Sequence, residues 1–501
     1  MHRLIRMIWV GLLIGGMLQA QSALQMQGNA LEVFSSATEG LDGLLTRPQF
    51  SPFPTQVISF ERISDNRNFL YVYDLAAKSL TEVRTVIPEA GVKLGLEDSL
   101  KLAGIYHTQL DWRPVLDDQG RQWFAFKSNG ASDNADIYLG FAGGTTFLRL
   151  TTDESVDENP KWSPDGRQLA FISHRSGNGD IYVVEEVDNI IAELNRNADN
   201  FRLKQVTNTP LEEKDIAWNP DPNAQLIAFS QLVRFEGRQV PTYQIRVADV
   251  LATPEVYYPV TNDPLANYSR PSWNPHTGAQ LLFVGEGLLD DQMASLYLVT
   301  MEYNADGNLH NKDLEGLKSE IFPNVHLAGT YGLWLAGGDA ILCQENRPEQ
   351  NYPLYSVNVQ RRLEKKEQSV YYFGKLHTAY PYILEFDARK NNFIFVNQES
   401  DVFKIYLAQI YGDDIIPYRL PEYTLTRSDA AAMAQPVITK ESLEAADNEA
   451  KIIPVAGIGL MQYLLYGGAA AVGTAAYFII SNNGDDPPKT KTAIGLPPNM
   501  P

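Results

Sequence analysis

The chain has 501 residues, of which 44% are apolar and 11% aromatic, including 25 tyrosines. A large core can be buried, which excludes disorder as the organising state. Lys and Arg number 41 against 61 Asp and Glu, a formal charge of -20, which argues against non-specific binding to nucleic acid or anionic lipid, both of which need a basic surface.

The first element reads as an export signal over residues 1–23. Arg3 and Arg6 form a basic start, the apolar run MIWVGLLIGGML begins at Met7, and Ala20-Gln21-Ser22-Ala23 offers small residues for cleavage. The run is short for a membrane span. Residues 24–45 form an N-terminal segment ahead of the first repeat.

Internal self-similarity then dominates the chain. Four segments carry Trp-x-Pro, at Trp112, Trp162, Trp218 and Trp273. After each comes a short β-rich run, a polar loop, a second run such as Asp136-Ile137-Tyr138 or Asp180-Ile181-Tyr182, and a third run often closing on Thr. The clearest unit reads LTTDESVDENPKWSPDGRQLAFISHRSGNGDIYVV from Leu150. Within it Ser163-Pro164-Asp165-Gly166 is a tight turn: Pro fixes φ, Asp bonds the local backbone, and Gly accepts a positive φ. Each unit is therefore four antiparallel strands. Weaker copies extend the array both ways, at Val57 and Phe69 upstream and at Trp334, Ala340, Phe386, Phe393 and Lys404 downstream. Seven units fit between Thr46 and Tyr423, at a spacing of roughly 45–60 residues. A lone four-stranded unit cannot hide its faces, whereas a closed ring can. The expected fold is all-β, a β-propeller of seven four-stranded blades over residues 46–423, with six blades as the alternative.

Cys343, the single cysteine, rules out an internal disulfide and sits in the apolar run Ala340-Ile341-Leu342, so it reads as a buried structural thiol. Residues 424–454, rich in Ala, Glu, Asp and Ser, read as a juxtamembrane linker. From Val455 to Ile480 no charged residue occurs. As a helix at ~1.5 Å per residue this stretch spans a ~30 Å hydrocarbon core, so a C-terminal transmembrane helix over 455–480 is expected. Its Gly and Ala content lets helices approach closely in lipid, so self-association through it is a second reading. A short polar tail, 481–501, follows.

The repeat, best preserved from Leu150 to Tyr182, resembles the TolB-like, WD40-like PD40 family of β-propellers. That resemblance implies a periplasmic or cell-envelope location and a docking surface for envelope proteins. The sequence departs from the family's best-known member, which has six blades and a separate N-terminal domain. Propellers of this repeat also occur beside serine-peptidase domains, but the sequence has no G-x-S-x-G and no room for the about two hundred residues such a domain needs. There is no HExxH, no paired Cys and no EF-hand loop, and the seven histidines are dispersed. No catalytic residue, metal ligand or cofactor is assigned. A glycan-active lyase or hydrolase of the propeller type is the alternative to a protein-binding scaffold.

Blade geometry points to where binding would occur. The connection from one blade's last strand to the next blade's first strand lies on the same face as the loop between the second and third strands. That loop face gathers Asp157, Glu158, His174, Arg175, Glu212, Asp263 and Tyr268 as candidate binding residues, and the SPDG-type turns lie on the opposite face. The competing reading is that Asp157, Glu158 and Arg175 cap strands and pair with one another.

Overall fold

The computed structural model describes residues 25–26, 30–52, 57–85, 104–130, 134–192, 202–252, 255–287, 294–312, 320–323, 332–335, 337–360, 370–372, 383–389, 392–411 and 422–425. Trp162, Trp218 and Trp273 each end a blade's first strand and Trp112 lies within one, and the blades are consecutive antiparallel sheets. Blade 1 comprises Leu44–Phe50, Val57–Ser64, Arg67–Asp74 and Ser79–Glu82. Blade 2 runs through His107–Leu116, Gln122–Ser128, Asp136–Phe141 and Leu148–Arg149. In blade 3 the strands are Asp157–Trp162, Leu169–Ser173, Asp180–Glu185 and Arg202–Gln205, with a short helix, Val187–Ala192, before the last. Blade 4 holds Glu213–Trp218, Leu226–Val233, Thr242–Asp249 and Tyr257–Pro259. Blade 5 holds Ala266–Trp273, Gln280–Gly287 and Ser295–Tyr303, whose third strand pairs with both Leu309–Asn311 and Glu320–Pro323. Gly332–Trp334, Ala340–Gln344, Leu354–Asn358 and Val370–Tyr372 make blade 6. Seven blades are present, not six.

The seventh blade is assembled from both ends of the chain. Ile383–Arg389, Asn392–Glu399 and Val402–Tyr411 supply three strands, and Leu31–Ser35, with Gln25–Met26, supplies the outer edge against Val402–Tyr411. The segment before the first repeat is thus part of the ring and closes it. Phe34 carries the closure, lying in one cluster with Leu45, Ile58 and Phe60 of blade 1 and Ile394, Val396 and Ile405 of blade 7. Such a closure ties a blade to residues from opposite ends of the sequence, so neither end of the ring frays alone.

The core sits between blades, where apolar second and third strands face their neighbours. Cys343 is fully buried in the blade 5–blade 6 cluster, and burial pushes its thiol up to about 12. The Thr that ends many units ties back to the third strand of its own blade: the hydroxyls of Thr151, Thr207 and Thr261 accept the backbone N–H of Ile137, Ile181 and Ile245 at 3.0, 2.7 and 2.9 Å. After blade 7 the chain returns to the turn face of blade 5, where Glu422 and Thr424 donate to the carbonyls of His276 and Thr277 and Leu425 is buried. Among the described residues no helix is long and apolar enough to cross a membrane, and the expected helix at 455–480 lies outside them.

Candidate docking face and central channel

First strands line the axis of a propeller, and here a repeated bulge shapes them. Arg47, Gln109, Asn159, Asp215 and Arg270 occupy the same position in five blades, each at a φ between 50° and 60°. At each the pairing with the second strand slips. A left-handed conformation is costly for a side-chain-bearing residue, on the order of 1–3 kcal/mol, unless surroundings hold it. The hold comes from the preceding blade. The Gln109 N–H donates to Glu61 at 2.8 Å, that of Asn159 to the Gln109 side chain at 2.8 Å, that of Arg270 to Asp215 at 3.1 Å, and that of Arg47 to Glu385. Glu61, buried, also accepts from Arg47, Asn68 and Thr108.

The repeated Trp adds a second inter-blade latch. The indole N–H of Trp218 donates to the Lys161 carbonyl at 3.0 Å, that of Trp273 to Ala217 at 3.1 Å and that of Trp334 to Ser272 at 3.0 Å. Trp112 uses the Ser59 hydroxyl instead. These four Trp residues therefore do two jobs, filling the interface and locking its register to the previous blade, whereas the buried Trp162 indole N–H makes no such bond. Neighbouring acids do likewise: Asp111 accepts from the Trp162 backbone N–H and from Lys161, and Asp387 accepts from the Phe50 backbone N–H. Among the described residues the first strands are accordingly lined by polar and charged side chains tied from blade to blade.

Above this wall the loop face holds the residues singled out by sequence. Asp157 is fully buried and receives Arg175 at 3.0 Å; burial pushes its carboxyl above the usual range, with Ser173 and Arg175 opposing. Glu158 receives Lys127 at 2.6 Å and His174 at 3.5 Å; burial opposes its ionisation, but these partners outweigh it and hold the carboxyl at about 2. Asp263 shapes its own loop, accepting from the Leu265 N–H at 2.8 Å and from the Tyr268 hydroxyl at 3.3 Å, and burial raises the Tyr268 phenol far above its ordinary value. Glu212 is half-buried and its carbonyl accepts from the Leu232 N–H. The face thus brings the seven residues to one side of the ring, but as two ion-paired groups on blade 3 and separate capping contacts on blades 4 and 5. Repeated Asn residues join the loops: Asn134 donates to the carbonyls of Asp153 and Ser155, and Asn178 to those of Thr209 and Leu211.

The sequence reading missed the channel wall. Arg47, Glu61, Gln109, Asn159, Asp215, Arg270 and Glu385 have no shared residue type; the available signal was the Pro that follows three of them, two positions before the aromatic that ends the strand. It also missed the exposed apolar side chains beside the candidates, Val240 and Leu265. His107 is a core residue, its Nδ1 bonded to Ser128 at 2.8 Å, and burial holds its imidazole at about 4. Among the described residues no group of three or more His, Cys, Asp or Glu is placed to hold one metal ion.

No protein-family profile matches the chain. A TolB homologue from Chlorobium luteolum is 38% identical over 50 residues, 10% of this chain and 12% of that protein. The Tol-Pal system protein TolB of Desulfosudis oleivorans is 35% identical over 65 residues, 13% of this chain and 15% of that one. Both matches are local, spanning well under two thirds of those relatives. Among solved structures, TolB from Acinetobacter baumannii aligns at a TM-score of 0.33 and 16% identity, covering 52% of each chain. The chain is a seven-bladed β-propeller, and over stretches of 50 and 65 residues it is similar to TolB proteins.

Proposed function

We propose that this chain is an exported propeller, anchored through 455–480, that binds a cell-envelope protein with its loop face. One observation carries the reading: a rigid, inter-locked ring presents irregular connections on one face, with exposed apolar side chains among exposed charges. Val240 and Leu265 are 44% and 41% exposed on that face of blade 4, and Arg234, Glu236 and Arg238 are exposed beside Val240. Loops on a rigid scaffold are where binding residues concentrate, and interfaces place apolar anchors within a polar rim. The relative named for the Tol-Pal system supports an envelope setting, as do the signal over 1–23 and the apolar stretch. The buried candidates Asp157, Glu158, Asp263 and Tyr268 shape the face in this reading, and exposed neighbours make the contact.

The test is affinity capture from envelope extracts. Val240→Asp with Leu265→Asp should reduce capture of the partner about tenfold or more, the effect of losing one anchor. Leu251→Asp, on the turn face, should leave it unchanged. Equal capture by all three proteins would end the proposal.

A further inference from the structure

Two successive blade junctions share one arrangement but differ in charge. At the blade 2–blade 3 junction Asp136 receives Arg149 at 2.6 Å, and Asp157 receives Arg175 at 3.0 Å, with Thr151 between them. At the next junction the same places hold Asp180, Glu213 and Thr207. Gln205 stands two residues before Thr207, where Arg149 stands before Thr151. Asp157 pairs across from Ser173, two residues before Arg175, whereas Glu213 pairs across from Gln231, two residues before Val233. Both arginine positions are therefore neutral at the second junction.

Glu213 is fully buried, and what surrounds its carboxyl is known. Thr209 donates to Oε1 at 2.7 Å and Thr207 donates to Oε2. Asp180, itself accepting from the Thr209 N–H at 3.0 Å and from Ser176, is the neighbouring charge on blade 3. From blade 4 the Tyr257 phenol faces the site, accepting from the Asn208 N–H at 3.0 Å. His174 lies by Gly179 and is directed to Glu158; on the strand of Glu213 itself, Lys214 sits 3.6 Å over the Tyr243 ring. Glu212 is half-buried. None of these puts a cation against the Glu213 carboxyl. A buried carboxylate beside a like charge is far costlier than the neutral acid.

We propose that the Glu213 carboxyl carries a proton at neutral pH, and that keeping this acid neutral beside Asp180 lets the 207–211 connection stay seated on the blade 3–blade 4 junction, so that the loop face loosens there as pH rises. Burial first, and Asp180 second, push this carboxyl well above its ordinary value of 4.5, with the two threonines and the Ile181 N–H opposing. The folded state therefore holds the proton more tightly than the unfolded chain. The stabilisation is complete below the ordinary value and is lost as pH rises through the folded one.

Hydrogen exchange on the intact chain reads this directly. After correction for the intrinsic rate, opening at the Thr209 amide should increase about tenfold for each pH unit between the ordinary carboxyl value and the folded one and level off above the folded one, the signature of one linked proton. In Glu213→Gln, which keeps the shape without the titration, opening should not change with pH. Parallel profiles, or a variant less protected than wild type at pH 8, would overturn the proposal. Should the variant fold poorly, infrared spectroscopy of the wild-type chain decides: a protonated-carboxyl C=O band at neutral pH that vanishes in alkali is expected, and its absence at neutral pH refutes the assignment.

Discussion

Phe34→Ala should lower the free energy of unfolding by about 3–5 kcal/mol, the range for emptying a buried aromatic site. Phe34 is 3% exposed and packs at 4.8 Å from Phe60 and 5.6 Å from Tyr73, ring centre to ring centre. Its strand lies on blade 7, yet these rings belong to blade 1, so the side chain spans the junction where the ring closes. The cavity forms at a seam, and seven mutually supporting blades transmit the loss to the whole ring. Denaturant unfolding of the purified chain measures it. A change under about 1 kcal/mol would show that the N-terminal strand decorates the propeller without closing it.

Gly166→Val is the second large effect, roughly 2–5 kcal/mol, from two separate causes. Gly166 sits at φ +69°, a conformation that β-branched valine strongly resists. A Cβ there would also stand 2.6 Å from Val115 Cγ2 and 3.1 Å from Arg113 Nε. Arg113 is buried and donates to the Gly166 carbonyl at 2.9 Å, and it pairs with Asp188 on the short helix. It cannot retreat without giving up both contacts. Gly143, at φ +77° with open space around it, isolates the backbone cause; Gly143→Ala should cost only about 1 kcal/mol. Equal melting temperatures for the two variants would remove the packing half of the argument.

How much of this was legible follows from what each feature leaves in the sequence. The blades were readable because a Trp recurs at the end of a first strand and a Pro-Asp-Gly turn follows in the clearest copy. The same pattern placed the loop face, since alternate connections of an antiparallel sheet must share a side. Leu31–Ser35 was not readable as a blade strand, because an outer strand needs neither the Trp nor the turn, and its partner Val402–Tyr411 lies at the far end of the chain. The channel wall was hidden for a related reason: the same role, accepting a backbone N–H from the next blade, falls to Glu61, Gln109, Asp215 and Glu385. An acceptor can be met by several residue types, so no single letter repeats. At the candidate site the pairing of Asp157 with Arg175 was read as the competing possibility, whereas Lys127 and His174 as the partners of Glu158 were not read. Arg175 and Asp157 are neighbours in space because of strand register, which the spacing alone leaves open.

Site-specific photo-crosslinking in intact cells tests the central claim, that the loop face engages an envelope protein, most directly. Photoreactive side chains at Val240 and Leu265 sample the loop face, and at Asp118 and Leu251 the turn face; all four positions are exposed. The account predicts one shared crosslinked protein from Val240 and Leu265 and none of it from Asp118 or Leu251. Crosslinks to that protein from the turn-face positions alone, or no protein adduct from either loop-face position, would contradict it.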